Sequence, residues 1–162
     1  MIGPTGSGKT TFGRALAAKL GVPHIELDAL FWQPGWVESS ADELRARVEP
    51  ALAAEGWVVD GNYSGKLGTL VMDEADEIVW LDLPLRTTWW RLLRRTVRRL
   101  RTRELICGAN RESFRQAFLS RDSILLYALR TYRRTRASRS EWTGGYCVVR
   151  LRSPREVEQY LA

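Results

Sequence analysis

The sequence of 162 residues contains few of the residue types on which several kinds of catalytic and structural site depend. It has one histidine, His24, so catalytic triads built on histidine and metal sites with several histidines are excluded by number. Its two cysteines, Cys107 and Cys147, form no CxxC pattern, which favours two reduced thiols over a disulfide framework or a zinc site. Any chemistry must therefore come from carboxylates, lysine, arginine and the backbone.

Long apolar segments are also missing from the sequence. No run approaches the ~20 consecutive apolar residues that a membrane helix needs, and the N-terminus has no basic segment followed by an apolar one. With 44% apolar and 27% charged residues, the composition is typical of a globular protein with a single domain over residues 1–162. We therefore predict a cytoplasmic protein that contacts no membrane.

Acidic residues are scarce in one part of the chain. Residues 86–139 contain 16 arginines and three acidic residues, a net charge of +13, whereas the whole chain has a net charge of +6. The planar guanidinium group suits bidentate contacts with phosphate, so this segment predicts an anionic partner. Nucleotide phosphates, a nucleic-acid backbone and a genome-wide preference for arginine codons are three alternative explanations.

The rest of the sequence alternates between helix-like and strand-like segments, which favours an α/β fold. Apolar residues at helical spacing predict helices over residues 10–20, 41–54 and 85–100, and a further helix from about 114 to 136. Short apolar runs predict strands over residues 24–28, 57–59, 77–82 and 146–151. Ser40 is a predicted N-cap, and Ser153 with Glu156 predicts a capping box before a C-terminal helix.

Residues 3–10 read GPTGSGKT and match the phosphate-binding pattern G-x-x-x-x-G-K-[ST] at every fixed position. A predicted helix follows directly, so its N-terminal amides can hold phosphate groups. The pattern predicts that Lys9 reaches the β- and γ-phosphates of ATP and that Thr10 ligates Mg²⁺. A glycine-rich turn without a ligand is the structural alternative. The candidate nucleotide-binding residues are Gly3, Pro4, Thr5, Gly6, Ser7, Gly8, Lys9, Thr10 and Thr11.

The chain as a whole resembles the adenylate-kinase-like and shikimate-kinase-like P-loop kinases, and among them the small bacterial proteins labelled DNA topology modulation proteins. The resemblance is carried by GPTGSGKT, HIELDALFWQPGW, WVVDGNYS, IVWLDLP with the arginine-rich helix after it, and VVRLRSPREVEQYL. It implies a three-layer α/β fold with a parallel five-stranded sheet in the order 2-3-1-4-5. It also implies an arginine-rich helical lid at residues 101–120. Because only Met1 and Ile2 precede Gly3, strand 1 is expected to be truncated at the N-terminus.

The same resemblance implies roles for individual carboxylates. Asp60, in VVDGNY, looks like the aspartate of the DG element, which holds Mg²⁺ through water in nucleoside monophosphate kinases. Asp28 lies at the end of the second strand, where such kinases bind the acceptor, and a carboxylate there can orient or deprotonate an acceptor hydroxyl. A cap or turn is the alternative for Asp28, and a structural turn is favoured over a metal-side carboxylate for Asp82.

Arginines and aromatic residues complete the expected site. Arg103 and Arg111 flank the loop expected within the lid, at about residues 102–110. The resemblance implies that such arginines, with Arg91, Arg94 and Arg95 on the preceding helix, surround the transferred phosphoryl group. For any single arginine, a solvated helix face is the alternative. Phe31, Trp32 and Trp36 can stack on an acceptor ring, although packing in the core or at its rim is favoured.

Two functions fit these observations. The first is phosphoryl transfer from Mg-ATP to a small-molecule acceptor, such as a nucleoside monophosphate or another hydroxyl or phosphate compound, with Lys9, Asp60, Asp28, Arg103 and Arg111 as candidate catalytic residues. The second is a nucleotide-regulated NTPase that binds nucleic acid through residues 86–139 and affects DNA topology or gene regulation. An NTPase without a dedicated acceptor is a further possibility. The sequence does not indicate an oligomeric state.

Overall fold

The computed structural model describes residues 1–102, 105–106, 110, 123–142 and 145–162. Helices and strands alternate along this part of the chain, as the sequence predicts. The helices are α1 (Lys9–Leu20), α2 (Leu27–Phe31), α3 (Ala41–Leu52), α4 (Ser64–Leu67), α5 (Leu70–Asp73), α6 (Leu85–Thr102), α7 (Ile124–Trp142) and α8 (Pro154–Leu161). The strands are β1 (His24–Glu26), β2 (Trp32–Gln33), β3 (Val37–Glu38), β4 (Val58–Asp60), β5 (Ile78–Leu81) and β6 (Val148–Leu151).

Two parallel strand pairs form the centre of the molecule. β1 pairs with β4 so that Glu26 lies opposite Asp60, and β5 pairs with β6 so that Ile78 lies opposite Val148. A short antiparallel hairpin of β2 and β3 lies outside these pairs. Parallel pairs separated by helical connections are typical of an α/β fold.

The backbone of Met1 and Ile2 forms hydrogen bonds with both parallel pairs. On one side, Ile2 donates to the carbonyl oxygen of Val79 at 3.0 Å and accepts from the amide of Leu81 at 2.9 Å. On the other side, the amino group of Met1 donates to the carbonyl oxygen of Val59 at 2.6 Å. Residues 1–2 therefore lie between β4 and β5. The five-stranded order 2-3-1-4-5 stays a prediction, because these residues form an isolated bridge rather than a strand.

Helices cover both faces of these strands. Because side chains alternate along a strand, Val79 and Leu81 face α1 and α8, whereas Ile78 and Trp80 face α5. A separate apolar cluster joins β1 and β4 to α2, α3 and α4. The resulting layers of helix, strand and helix hold the loop of residues 3–8 at the edge of the core.

The helices α6 and α7 pack against each other beside this core. Leu92 of α6 contacts Leu125 and Ala128 of α7 in a buried cluster. The hydroxyl group of Tyr132 donates to the carbonyl oxygen of Leu83 at 2.9 Å, which ties α7 to the end of β5. Among the residues described, no helix is both long enough and apolar enough to span a bilayer.

Several boundaries differ from the sequence-based prediction. β1 ends at Glu26 rather than residue 28, because Leu27 is buried and begins α2. The helix predicted to end near residue 136 continues to Trp142, since no glycine or proline interrupts residues 124–142. The last strand begins at Val148 rather than residue 146, because its pairing with β5 starts at Ile78. The helix predicted over residues 114–136 begins within residues 111–122, which lie outside the described residues.

Both predicted helix caps are present, with one difference. Ser40 and Glu43 form a capping box at the start of α3. At α8, the Ser153 hydroxyl accepts from the amide of Glu156, as predicted. The carboxylate of Glu156, however, accepts from the amide of Arg152, one residue before the cap. This arrangement also stabilises the start of the helix, because it satisfies a further backbone donor.

Candidate functional site

The phosphate-binding pattern forms a tight loop between Ile2 and α1. Gly8 is the N-cap of α1 with φ of 92°, no side chain caps this helix, and no acidic residue lies in its first turn. Within the loop, the amide of Ser7 donates to the carbonyl oxygen of Pro4 at 3.1 Å. Helix amides without a side-chain cap attract anions, so the start of α1 is suited to phosphate.

The loop packs directly against α6, and glycine is required at the contact. Gly6 has φ of 82°. A Cβ atom at Gly6 would lie 2.4 Å from the carbonyl oxygen of Thr88 and 2.9 Å from Cβ of Leu92. Both α6 residues are buried. Contact at this distance leaves no room for a larger residue, so α6 fixes the position of the loop.

Two cationic side chains contact the loop from different helices. The ammonium group of Lys9 donates to the carbonyl oxygens of Gly3 at 3.1 Å and Pro4 at 3.2 Å. The guanidinium group of Arg91, on α6, donates to the carbonyl oxygen of Ser7 at 3.2 Å. These two charges, together with the helix N-terminus, create a positive potential at the loop that favours a polyphosphate.

Thr10 and Asp60 form the candidate metal site. The Thr10 hydroxyl donates to Oδ2 of Asp60 at 2.5 Å. Asp60 is only 4% exposed, and its Oδ1 has no hydrogen-bond partner among the described residues. A buried carboxylate oxygen is costly unless a charge or donor compensates it. Hydroxyl and carboxylate oxygens are the ligands Mg²⁺ prefers, and it usually takes one or two carboxylates with phosphates and water, so this pair fits the ion.

The sequence analysis expected Asp28 at the end of a strand. In the structure, Asp28 lies in the first turn of α2. Its exposed carboxylate accepts a hydrogen bond at 2.6 Å from the hydroxyl of Tyr63. Since Glu26 lies opposite Asp60 in the strand register, Asp28 and Tyr63 follow neighbouring strands at the same edge. Sequence analysis missed Tyr63, although its place in DGNYS next to the Asp60 element was the available signal.

Aromatic residues pack around this edge. Phe31 is buried in the core, whereas Trp32 and Trp36 form an edge-to-face pair with ring centroids 5.6 Å apart. The side-chain amide of Asn110 accepts from the Trp36 amide at 2.8 Å and donates to the carbonyl oxygen of Gln33 at 3.0 Å. Asn110 thus fixes the hairpin of β2 and β3, a long-range contact that nothing in the local sequence signals.

Asp82 has a structural role, but as a buried ion-pair partner rather than as the turn that the sequence analysis favoured. Its carboxylate is almost fully buried and pairs with Arg136 of α7 at 2.8 Å and Arg150 of β6 at 2.6 Å. The guanidinium group of Arg150 also lies 4.1 Å from the ring centroid of Trp80. These ion pairs anchor α7 to the end of β5, and each carboxylate oxygen of Asp82 has a cationic partner.

The expected lid arginines are placed only in part. Arg103 and Arg111 lie outside the described residues, as does most of the expected lid at residues 101–120, so their roles stay predictions. Arg91 and Arg94 of α6 are both exposed, and Arg91 also donates to the carbonyl oxygen of Ser7 in the loop. Sequence alone did not separate these two arginines, because the whole helix is rich in arginine.

His24, the sole histidine, packs beneath α1 rather than in the site. Its Nε2 atom would lie 2.7 Å from a Cβ on Gly13, so the ring fills the space left by that glycine. Burial lowers the pKa of His24 below its usual 6.5, and the nearby carboxylates of Asp60 and Glu26 oppose this shift. His24 therefore has the properties of a neutral packing residue.

Comparison with known proteins adds three findings. A family model described as "ATPase family associated with various cellular activities (AAA)" matches residues 1–87. Threonine synthase-like 1 from Mus musculus is 33% identical over 99 residues, which represent 52% of this chain and 13% of that protein. Shikimate kinase from Bacteroides thetaiotaomicron superposes with a TM-score of 0.55 and 19% identity, over 99% of this chain and 91% of that structure.

These comparisons have different consequences. The structural match extends over nearly the whole chain, and it shows a P-loop NTPase-like α/β fold. The match to the mouse protein covers only a small part of that protein's length. Neither relative establishes the activity of this chain, because function depends on the residues of the site rather than on the fold.

Proposed function

We propose that this chain, which belongs to the AAA family of ATPases, is a P-loop kinase. In this proposal it transfers the γ-phosphoryl group of Mg-ATP to a small-molecule acceptor. The observation that carries the proposal is the cluster of Lys9, Thr10 and Asp60 at the start of α1, with the buried, unpaired Oδ1 atom of Asp60. The fold shared with shikimate kinase is compatible with this activity.

The donor side of the reaction is assigned to the loop and its two cations. Amides at the start of α1 bind the phosphate oxygens, and Lys9 moves from the carbonyls of Gly3 and Pro4 to the β- and γ-phosphates. Arg91 adds positive charge beside Ser7. Thr10 and Asp60 would hold Mg²⁺, which would supply positive charge beside the phosphates. Arg103 and Arg111, which lie outside the described residues, are proposed to contact the transferred γ-phosphoryl group.

The acceptor side is assigned to Asp28 and Tyr63. Their hydrogen bond places a carboxylate and a hydroxyl beside the edge occupied by Asp60. The acceptor oxygen attacks the γ-phosphorus as the bond to the β-phosphate oxygen of ADP breaks, and the proton of an acceptor hydroxyl passes to Asp28. This pair supports a kinase over a simple ATPase in the proposal, because it offers polar groups for an acceptor other than water.

The resemblance also suggests which residues form the central strand of the sheet. We infer that residues 1–2 belong to the central strand of a five-stranded sheet in the order 2-3-1-4-5. Their hydrogen bonds to Val59 on one side and to Val79 and Leu81 on the other support this order. Slow hydrogen exchange at the amides of Ile2 and Leu81 is the expected result, and rapid exchange at both would contradict it.

The kinase proposal is tested by measuring ADP release from Mg-ATP with a panel of nucleoside monophosphates and small alcohols. One acceptor should stimulate release, and Lys9→Ala should reduce the stimulated rate by about 10²–10³ because a charge-stabilising donor is lost. Lys19→Ala is the matched control, since Lys19 is an exposed lysine at the far end of the same helix.

Two results would decide against the kinase. ATP hydrolysis that depends on Lys9 but responds to no acceptor would identify an ATPase of a different kind, which family membership also allows. An equal loss of activity in Lys9→Ala and Lys19→Ala would show that the loop has no specific role. Circular dichroism of each variant separates loss of activity from loss of folding.

A further inference from the structure

A cavity of about 550 Å³ lies between β4 and β5 and is named here the strand slot. Met1 and Ile2 line it, whereas residues 3–8 of the phosphate-binding loop do not. Because residues 1–2 form hydrogen bonds with both strands, β4 and β5 are two strand spacings apart, about 9.5 Å. A cavity of this width admits one extended chain.

Backbone amides face the strand slot from both sides. The carbonyl oxygens of Val59 and Val79 accept hydrogen bonds from the backbone of Met1 and Ile2. In a parallel sheet, the amide and the carbonyl group of one residue face the same neighbouring strand, so the amides of Val59 and Val79 also face the slot. Both residues are buried, and a buried amide needs an acceptor. An extended chain carries carbonyl oxygens along both of its edges and can supply one to each side.

The two faces of the strand slot are apolar. Met1 packs with Leu16 and Tyr160 on one face, and Ile2 packs with Met72 on the other. A strand in register with residues 1–2 would therefore place successive side chains against opposite apolar faces. Leu20, which also lines the slot, is 60% exposed, so a ligand there would remove apolar surface from water.

The charges around the strand slot differ between its two ends. Although the chain has a net charge of +6, no lysine, arginine or histidine is among the described residues that line this cavity. At the inner end, the amino group of Met1 donates to the carbonyl oxygen of Val59. Exposed carboxylates lie at the outer end, before β4 and β5. They belong to Glu55, Glu74, Asp76 and Glu77.

These charges favour one direction for a bound peptide. A peptide parallel to β4 and β5 has its free carboxylate beside the amino group of Met1, and basic residues farther from its end lie among the four carboxylates. An antiparallel peptide would bring like charges together at both ends, which is unfavourable.

We propose that the strand slot binds the C-terminal end of another polypeptide as an added parallel strand, with apolar last residues and basic residues before them. Val58 and Val59 precede Asp60 in β4, so about three residues of the ligand can pair, over about 10 Å. In such strand addition, main-chain hydrogen bonds provide affinity and side-chain pockets provide specificity.

Other occupants satisfy the strand slot less well. A second copy of this chain would bring Glu158, which precedes its last four residues, towards the acidic end of the slot. A small apolar molecule would fill the cavity but leave the amides of Val59 and Val79 without an acceptor, and an unsatisfied buried amide is costly.

The proposal is tested by fluorescence anisotropy with a labelled peptide of about eight residues that begins with lysines and ends in valines with a free carboxylate. The same peptide in reversed order should bind about tenfold more weakly, because its carboxylate then lies among the acidic residues. Hydrogen exchange at the amides of Val59 and Val79 should slow when the first peptide binds.

Leu20→Lys tests the apolar contact and should weaken binding about tenfold. Its matched control is Leu129→Lys, which changes an exposed leucine of α7 outside the cavity and should leave binding unchanged. Glu55→Gln combined with Asp76→Asn should weaken binding about 2- to 20-fold. Circular dichroism of each variant separates loss of binding from loss of folding.

Four results would overturn the proposal. The first is no binding of the lysine-valine peptide at about 1 mM, and the second is equal binding of the forward and reversed peptides. The third is a bound peptide that leaves hydrogen exchange at Val59 and Val79 unchanged. The fourth is a dimer in analytical ultracentrifugation that Leu20→Lys dissociates and Leu129→Lys does not, because a second copy of the chain would then occupy the slot.

Discussion

Replacement of Gly6 by alanine tests whether the phosphate-binding loop is held directly by α6. Gly6 has φ of 82°, and an L-residue in the left-handed region costs about 1–2 kcal/mol. The added Cβ would also lie 2.4 Å from the Thr88 carbonyl oxygen. Relief of such overpacking costs about 1–3 kcal/mol. The two contributions together predict a decrease of about 2–5 kcal/mol in the free energy of unfolding.

Gly35→Ala provides a matched control for the backbone contribution. Gly35 has φ of 80°, almost the same as Gly6, but a Cβ there would have no atom within 4 Å. The control therefore carries the cost of the backbone conformation alone, about 1–2 kcal/mol. At about 3 °C per kcal/mol for a chain of this size, Gly6→Ala should lower Tm by about 6–15 °C and Gly35→Ala by about 3–6 °C.

Thermal unfolding followed by circular dichroism measures both variants under the same conditions. The difference between them isolates the contact of the loop with α6, because the backbone contribution cancels. Equal decreases in Tm would refute the reasoning, since they would mean that nothing stands 2.4 Å from the position of the added Cβ on Gly6. In that case α6 could not be the element that positions the loop.

Two further predictions concern the acceptor side and pH. Tyr63→Phe keeps the ring packed on Phe31 but removes the hydrogen-bond donor to Asp28. The KM for the acceptor should therefore rise about fivefold, while the KM for ATP stays constant. An unchanged KM for the acceptor in steady-state kinetics would argue against this subsite. Burial lowers the pKa of His24, so below about pH 6.5 the unfolded chain binds more protons and the folded protein loses stability as the pH falls. In urea unfolding, His24→Asn should lose less stability than the wild type over this range, and parallel pH curves would contradict the assignment.

Sequence analysis predicts the parts of the fold that depend on local pattern. The GPTGSGKT motif locates the loop and the start of α1, and Ser40 locates the start of α3, because caps and glycine-dependent turns are determined within a few residues. The prediction was less accurate at β1, where Leu27 continues the apolar run and yet begins a helix. Burial against α3 decides that boundary, and burial is a property of the tertiary structure.

The candidate site is predictable to a smaller extent. Thr10 and Asp60 are 50 residues apart in sequence, and their hydrogen bond depends on the packing of α1 against β4. The contact of Arg91 with the loop depends on the rotation of α6, which an arginine-rich helix does not reveal in its sequence. Asn110 is recognised only through its contacts with the distant hairpin. Residues brought together by tertiary packing therefore required the structure.

The central claim is that Lys9, Thr10 and Asp60 bind the phosphates of ATP together with Mg²⁺. Isothermal titration calorimetry of ATP, with and without Mg²⁺, tests it most directly in the wild type and in Asp60→Asn, which preserves the size of the side chain. The account predicts that Mg²⁺ strengthens ATP binding to the wild type and that Asp60→Asn loses this enhancement by about tenfold or more. A folded wild type that binds no ATP, or an Asp60→Asn variant with the full enhancement by Mg²⁺, would contradict it.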